Sequence, residues 1–523
     1  MKLPLPRKKL PIGIQTFREI REEGYYYVDK TGFALRLMNE GKYYFLSRPR
    51  RFGKSLLLDT LAELFEGNRP LFAGLYADAL WDWTIKYPVI RLSFGAGVLR
   101  NRDELDEKIR SLLRINLQAL GIQCRKPDQP ADCFAELIAA AHAKTGQRVV
   151  VLVDEYDKPM LDNILQPEVA RELRDGLRNL YSVIKDSDAH IKFAMLTGVS
   201  KFSRVSLFSG LNNLKDITLD ARYSAICGYT DTDLDEVFAP ELPGFDRNEI
   251  RHWYNGYNWT GASVYNPFDV LLLFDCQQFK PHRFDTGTPT FLIDLLVQRG
   301  IFTPGLERCL SSMELMSAFD VEHIDTDALL FQAGYLTIAD VQEPIRGLWV
   351  YTLGYPNFEV KSSLNGALLT GLGVNPNKSL AQRLQLLPLL KTCNFAAMQT
   401  LFTAFYASIP HQWFTNNPIA QYEGYYASVF YSYFAALGLD ITCEESSNAG
   451  RLDMAVRFNG QIYLFEFKVV EIEPEGRALQ QIITAGYADK HRASGQPIHL
   501  IGVEFSRASR SVIGFEAKTL QTI

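Results

Sequence analysis

The run RPRRFGKS at 48–55 lies between an apolar stretch and a helical one. Gly53, Lys54 and Ser55 match the end of the phosphate-binding pattern G-x-x-x-x-G-K-[ST], and Arg48 stands where the pattern has its first glycine. The chemistry is that of a triphosphate cradle. Backbone N–H groups of the loop and of the next helix bind phosphate oxygens. Lys54 reaches the β- and γ-phosphates and Ser55 holds Mg²⁺. Arg48, Arg50 and Arg51 are expected opposite phosphate, with Arg51 in the binding set. A G-K-S triplet is short enough to arise by chance, so its partner decides. The apolar run VVVLV (149–153) ends in Asp154 and Glu155. Asp154 is placed to hold Mg²⁺ and Glu155 to activate the attacking water. Thr197, after a further strand, would contact the γ-phosphate or that water, and a plain turn is an equal alternative. Arg204 is one of many arginines that could act as a finger.

A second set lies far downstream. GRLDMAV carries Asp453, and YLFEFKV carries Glu466 and Lys468. Residues two apart on a strand share a face, so Glu466 and Lys468 point together while Phe465, Phe467 and Val469 point into the core. Two carboxylates suit a divalent cation, and a nearby lysine orients water or stabilises charge developing on a phosphodiester. A solvent-facing ion pair between Glu466 and Lys468 is the plainer alternative. Glu423 on an upstream helix and Gln481 on a following helix supply context.

These residues need elements to hold them. Strands are expected at 42–47, 89–94, 149–153 and 191–196, with helices at 54–65, 103–119, 131–144 and 167–184 between them. That alternation argues for a mostly parallel sheet covered on both faces. Residues 221–300 and 380–437 read as mainly helical, with strands at 335–340 and 348–352 between. After 438, strands at 440–444, 452–458 and 462–469, a helix at 475–488 and a strand at 498–505 complete an α-β-β-β-α-β series. Asn459 and Gly460 form a strong hairpin-turn signal. The aromatic loop 253–259 (WYNGYNW) either stacks bases or packs a lid against the first domain.

The 523 residues suggest several domains. Their net charge of −5 argues against a globally basic nucleic-acid coat. Seven scattered cysteines, with no C-x-x-C pair, read as free thiols and give no zinc site. No stretch approaches a membrane span, and a cytoplasmic location is expected.

The segments YYYVDKTGF (25–33), RPRRFGKS, VLVDEYDKP (151–159) and LTGVSKFSRVSLFSGLNNLKDITL (196–219) resemble the bacterial predicted AAA-ATPase-like family, whose loop reads RPRRFGKS as here. WYNGYNW…VYNPFDVL (253–271) and LLFQAGYLTI (330–339) resemble its middle region. YEGYYASVFYSYFAALG (422–438), GRLDMAV, IYLFEFKV, ALQQIITAGYADKH (478–491) and IHLIGVEF (498–505) resemble the PD-(D/E)XK nuclease superfamily. The resemblance implies an α/β multidomain chain. Its parts are a P-loop ATPase sheet at 1–220, a helical lid at 221–305, a winged-helix-like region at 306–375, a helical connector at 376–420 and a restriction-endonuclease-like domain at 421–523. It also implies ATP and Mg²⁺ as cofactors, Asp453, Glu466 and Lys468 as the nuclease core, and Glu423 and Gln481 as auxiliary residues. The function implied is an ATPase coupled to a nuclease acting on nucleic acid, DNA foremost, with defence against foreign DNA as a role and homo-oligomerisation left open. The alternative is a nucleotide-switched, STAND-like interaction protein that binds without cutting. Two features sit uneasily with DNA reading. Residues 421–523 hold 12 acidic against 9 basic side chains. The winged-helix-like stretch carries Asp320, Glu322, Asp325, Asp327, Asp340, Glu343 and Glu359 against Arg346 and Lys361. A DNA-reading wing is normally basic, so a structural or protein-contact role suits this one better.

Overall fold

The computed structural model describes residues 7–201, 213–282, 290–299, 303–312, 325–371, 376–407, 423–447, 450–509 and 511–520. Arg204, Asp320, Glu322 and the side chain of Glu423 lie outside them. Two compact units are present, each built from discontinuous chain: 1–283 with 310–357, and 284–309 with 358–523. The boundaries cut the 306–375 stretch twice.

The first unit is organised by a five-stranded parallel sheet of β1 (Tyr43–Ser47), β2 (Val89–Ser93), β3 (Val149–Asp154), β4 (Ile191–Gly198) and the two-residue β5 (Lys215–Asp216). The spatial order is β2-β3-β4-β1-β5. β4 is therefore inserted between β1, which ends in the phosphate loop, and β3, which ends in Asp154. Parallel strands need crossovers, and the helices Lys54–Phe65, Arg102–Leu120, Pro130–Thr145 and Pro167–Asp186 provide them. The apolar run of β3 is buried along Val149–Val153 because helices cover both faces. The chain leaves β1 through the loop and enters helix Lys54–Phe65 at Gly53, whose φ of 91° is left-handed. The expected strands and helices of this sheet are present, with ends shifted by a residue or two. A second, three-stranded sheet joins β6 (Cys309–Ser312), β8 (Leu348–Gly354) and β7 (Thr337–Ile345), the last two an antiparallel hairpin.

The second unit carries a mixed sheet in the order β13-β12-β11-β10-β9, from β9 (Asp440–Ser447), β10 (Gly450–Phe458), β11 (Gln461–Val470), β12 (Ile498–Ser506) and β13 (Val512–Leu520). β11 and β12 run parallel and the other pairs antiparallel. Asn459 and Gly460 have φ of 51° and 73°, the two left-handed residues a tight hairpin between β10 and β11 requires. Tyr463, Phe465 and Phe467 pack into a core with helices Phe395–Ala407 and Glu423–Ala435. Ile462 and Leu464, on the opposite face, pack with Leu479 and Ile482 of helix Arg477–Thr484. The expected helix at 475–488 is shorter than its pattern suggested. It ends at Thr484, and Gly486 at φ 61° turns the chain into a 3₁₀ segment, Asp489–Ser494. β13, at the sheet's edge, was not expected from the sequence.

Candidate functional site

In the first unit, three strand ends converge. Ser55 Oγ donates to Asp154 Oδ2 at 2.6 Å, and Thr197 Oγ1 donates to Asp154 Oδ1 at 2.7 Å. Asp154 thus links the start of the loop helix to the end of β4. The insertion of β4 beside β3 is what brings Thr197 there. Lys54 is buried, and its Nζ donates to the carbonyls of Arg48 and Pro49 at 2.8 and 3.0 Å. Burial holds the Lys54 ammonium below its usual pKa, and Asp154 pulls the other way. Glu155 follows with a left-handed φ of 49°, a conformation that costs energy for a residue bearing a side chain. Burial, and then the neighbouring Asp154, raise its carboxyl pKa. A raised pKa on a carboxyl facing a cavity is what a proton acceptor near neutral pH needs.

The cavity in front of these groups measures about 390 Å³ and is lined by Arg51, Gly53, Lys54, Ser55, Glu155 and Phe268. That is within the range of small-molecule sites. A smaller apolar cavity of about 70 Å³ shares Pro11, Gly53, Leu56 and Tyr229 with it. The Ser55 hydroxyl and the Asp154 carboxylate are hard oxygen donors at the phosphate end. That set suits Mg²⁺, which takes one or two carboxylates alongside substrate phosphates.

Arg48 corrects an expectation. It does not face phosphate. It is 0 % exposed and lies beneath the loop, donating to the carbonyls of Ser47 (2.8 Å), Thr218 (3.0 Å) and Tyr223 (3.1 Å). Its guanidinium carbon sits 4.1 Å from the ring centroid of Trp259. Burial lowers its pKa to about 10. Phe52 packs edge-on against Tyr257 and Trp259. The aromatic loop is therefore packing that supports the phosphate loop, and Tyr257 and Trp259 are buried. Arg51, at φ 71°, lies over Phe268 with 4.6 Å to the centroid and lines the cavity.

In the second unit, Met454 pairs with Phe465 across β10 and β11, so the next step of the register sets Asp453 opposite Glu466. Asp453 Oδ2 accepts the N–H of Phe467 at 2.8 Å. Glu466 is 1 % exposed, and its Oε1 lies 3.4 Å from Lys468 Nζ. Its Oε2 is buried with no hydrogen-bond partner among the described residues. Burial first, and then Asp453, push the Glu466 carboxyl up to about 7, with Lys468 opposing. A buried acceptor with no donor beside a second carboxylate fits a divalent cation, whose charge would supply the missing partner. Among the described residues no set of three or more His, Cys, Asp and Glu clusters as metal ligands, so the candidate site rests on these two carboxylates. Gln481 sits half-buried on the helix that covers this face.

Two residues escaped the sequence reading. Glu504, on β12 beside Lys468, accepts the N–H groups of Glu475, Gly476, Arg477 and Ala478 at 2.6–3.3 Å and so clamps the helix bearing Gln481. Asp157, 1 % exposed, accepts from the backbone of Val199 and from both the N–H and the hydroxyl of Ser200. Both stand inside the segments VLVDEYDKP and IHLIGVEF, yet nothing in their type or spacing marks a role, and only the fold reveals the backbone donors they meet. The seven cysteines are free thiols. No helix among the described residues is long and apolar enough to cross a membrane.

The family model described as a predicted AAA-ATPase matches residues 11–208, and the PD-(D/E)XK nuclease superfamily model matches 421–515. The chain is 65 % identical over 517 residues to an "Uncharacterized protein in vnfD 5'region" of Azotobacter chroococcum mcd 1, covering 99 % of this chain and 100 % of that protein. Among solved structures, the Aeropyrum pernix ORC1 protein in complex with DNA aligns with a TM-score of 0.26 and 13 % identity, over 67 % of this chain and 91 % of that one, a likeness too slight to bear on fold or function. With its two matched models and its near full-length relative, the chain belongs to the bacterial family that joins a predicted AAA-ATPase domain to a C-terminal PD-(D/E)XK nuclease-superfamily domain.

Proposed function

We propose that the chain binds and hydrolyses ATP with Mg²⁺ in its first unit, and that this ATPase controls a Mg²⁺-dependent nuclease in its second, acting on nucleic acid and on DNA foremost. The observation that carries the reading is the pair of separate acidic sites, each beside a lysine. One is built from Lys54, Ser55, Asp154, Glu155 and Thr197, the other from Asp453, Glu466 and Lys468.

In the first site the loop amides and Lys54 hold the triphosphate, with Arg51 at the cavity wall. Lys54 exchanges its loop carbonyls for phosphate oxygens. Ser55 and Asp154 would hold Mg²⁺, which supplies charge neutralisation at the β- and γ-oxygens when bound. Glu155 takes a proton from the attacking water, and Thr197 orients the water or the γ-phosphate. In the second site Asp453 and Glu466 would hold the cation, whose chemistry is to polarise the scissile phosphate and acidify a water. Lys468 positions that water and stabilises charge on the phosphate. Glu423 and Gln481 lie on the flanking helices as auxiliary contacts. The five-part division of the chain, a role against foreign DNA, a cytoplasmic location and homo-oligomeric assembly belong to the same proposal.

Purified protein incubated with DNA and with RNA, with and without ATP and Mg²⁺, tests it. Cleavage that requires Mg²⁺, changes with ATP and disappears in Asp453→Ala and Lys468→Ala is expected. Nucleotide-dependent assembly without cleavage, abolished by Lys54→Ala and indifferent to chelation, would replace it with the interaction-protein reading.

A further inference from the structure

We propose that Asp157 is a positioning residue for ATP hydrolysis: it latches the segment after β4, so that Thr197 is held against Asp154 and the state of the nucleotide site reaches helix Thr326–Ala333. The inference rests on the ATPase reading of the first unit.

β4 ends at Gly198, one residue after Thr197. The chain then bends across Asp157, whose Oδ2 accepts Val199 N at 3.0 Å, Ser200 N at 2.6 Å and Ser200 Oγ at 2.6 Å. Three donors on one buried carboxylate are charge-assisted bonds in a low-dielectric setting, the strong kind. The same turn adds a second clasp. Tyr156 N donates to the Thr197 carbonyl at 3.1 Å, and Tyr156 OH to the Ser200 carbonyl at 2.9 Å. From the loop side, Arg48 N donates to the Gly198 carbonyl at 3.1 Å and Ser47 Oγ to that of Val199. Residues 197–200 are therefore gripped between the strand end that carries the phosphate loop and the turn that carries Asp154 and Glu155.

Gly198 shows how close the grip is. A Cβ there would lie 2.4 Å from Asp157 Oδ1 and 2.5 Å from the Tyr156 ring. No side chain fits without moving the latch. Beyond the grip, Lys201 N donates to Gln332 Oε1 at 2.9 Å, and Lys201 Nζ pairs with Asp216 at 2.5 Å. Gln332 is buried in helix Thr326–Ala333, which leads into the β7–β8 hairpin. A displacement of Thr197 cannot be absorbed at 199–200, because both residues are fixed to Asp157. It is passed to Lys201 and Gln332.

The side-chain hydrogen bonds of Asp157 go to Val199 and Ser200, neither of which lines the nucleotide cavity, and Asp157 reaches Lys54 and Glu155 through its charge alone. Its loss should therefore spare nucleotide affinity and cost turnover. Misplacing a catalytic contact by about 1 Å costs on the order of 10²-fold in rate. The test compares wild type, Asp157→Ala, Asp157→Asn, Ser200→Ala and Gly198→Ala in full-length protein. ATP affinity is read with a fluorescent analogue, kcat and KM by phosphate release, and amide hydrogen exchange on peptides covering 197–201 and 326–336. Asp157→Ala and Gly198→Ala are expected to lower kcat on the order of 10²-fold, with KM and affinity within about threefold. Asp157→Asn keeps an acceptor oxygen and should recover most of the loss, and Ser200→Ala, which keeps both backbone bonds, should fall between. Adding a non-hydrolysable ATP analogue should change exchange in 326–336 in wild type and leave it unchanged in Asp157→Ala.

Unchanged kcat in both Asp157→Ala and Gly198→Ala overturns the latch while leaving the ATPase reading intact. So does a parallel loss of kcat and affinity in Asp157→Asn and Ser200→Ala, which would mark a merely structural role. Wild type that binds no ATP overturns both readings at once.

Discussion

Metal binding by the second unit should depend on pH with a midpoint set by Glu466. Its carboxyl is shifted from an ordinary 4.5 to about 7 by burial and by Asp453. A divalent cation needs the ionised form, so proton and metal compete for the same oxygen. With a pKa of about 7, about one molecule in eleven is ionised at pH 6 and about ten in eleven at pH 8. Apparent affinity for Mg²⁺ or Mn²⁺ should therefore rise about tenfold across that window. A glutamate at 4.5 would be ionised throughout and give a flat profile. Lys468→Ala removes the charge that lowers this pKa, leaving only the Asp453 backbone N–H to oppose burial, and should move the midpoint above 7. The assay is calorimetric titration of Mn²⁺ at pH 6, 7 and 8, in a Lys54→Ala background without nucleotide to keep the first site silent. Linkage gives a second readout. Between about 4.5 and 7 the folded chain keeps a proton that the unfolded chain has lost, so without cation stability falls as pH rises through that range. Saturating metal should flatten the fall. An affinity constant within twofold between pH 6 and 8 would refute the reasoning, because it would place Glu466 among ordinary exposed carboxylates.

Three further outcomes are expected. Arg48→Gly restores the usual phosphate-loop residue yet should unfold the first unit more easily. It removes the guanidinium donors from the buried carbonyls of Ser47, Thr218 and Tyr223, the last of which keeps the Ile226 N–H, and the cation from one ring face, at roughly 1 kcal/mol each, and a urea midpoint equal to wild type would refute it. Glu155→Gln should slow phosphate release about 10²- to 10³-fold with ATP affinity little changed; near-normal turnover would exclude Glu155 as the base. Glu504→Ala leaves four backbone N–H groups at the start of helix Arg477–Thr484 without their acceptor. It should cost about 2–3 kcal/mol and raise hydrogen exchange over 475–484, and unchanged exchange there would count against the clamp.

Much of the fold was legible because its strands announce themselves. β3 is apolar throughout because it is covered on both faces, and Asn459–Gly460 names its own turn. Gly53, Lys54, Ser55, Asp154 and Thr197 were legible as a set, and the structure brings them together because each sits at a strand end or a helix start. Arg48 was misread because its charge suggested phosphate, whereas the fold offers it three carbonyls and an indole. β13 escaped because an edge strand with Glu516 and Lys518 exposed lacks the burial that produces a clear pattern. Asp157 and Glu504 escaped for a deeper reason. Their partners are backbone amides 26–43 residues away in sequence, and amides have no residue type to recognise.

The discontinuous units bear on how the protein is made and handled. The polypeptide passes between them three times, at 283/284, 309/310 and 357/358. Thr303 Oγ1 donates to the Ser428 carbonyl at 3.0 Å, and Glu307 pairs with Lys361 and accepts from Tyr431, so 303–307 is a working part of the second unit. A ribosome therefore delivers a piece of the second unit before the first is complete. That piece must wait for partners 54 to 125 residues behind it. A fragment cut at the start of the nuclease match would lack it altogether, and a fragment ending at 283 would lack β7 and β8. Neither half is a natural expression unit, because the stretches of the two units alternate along the chain.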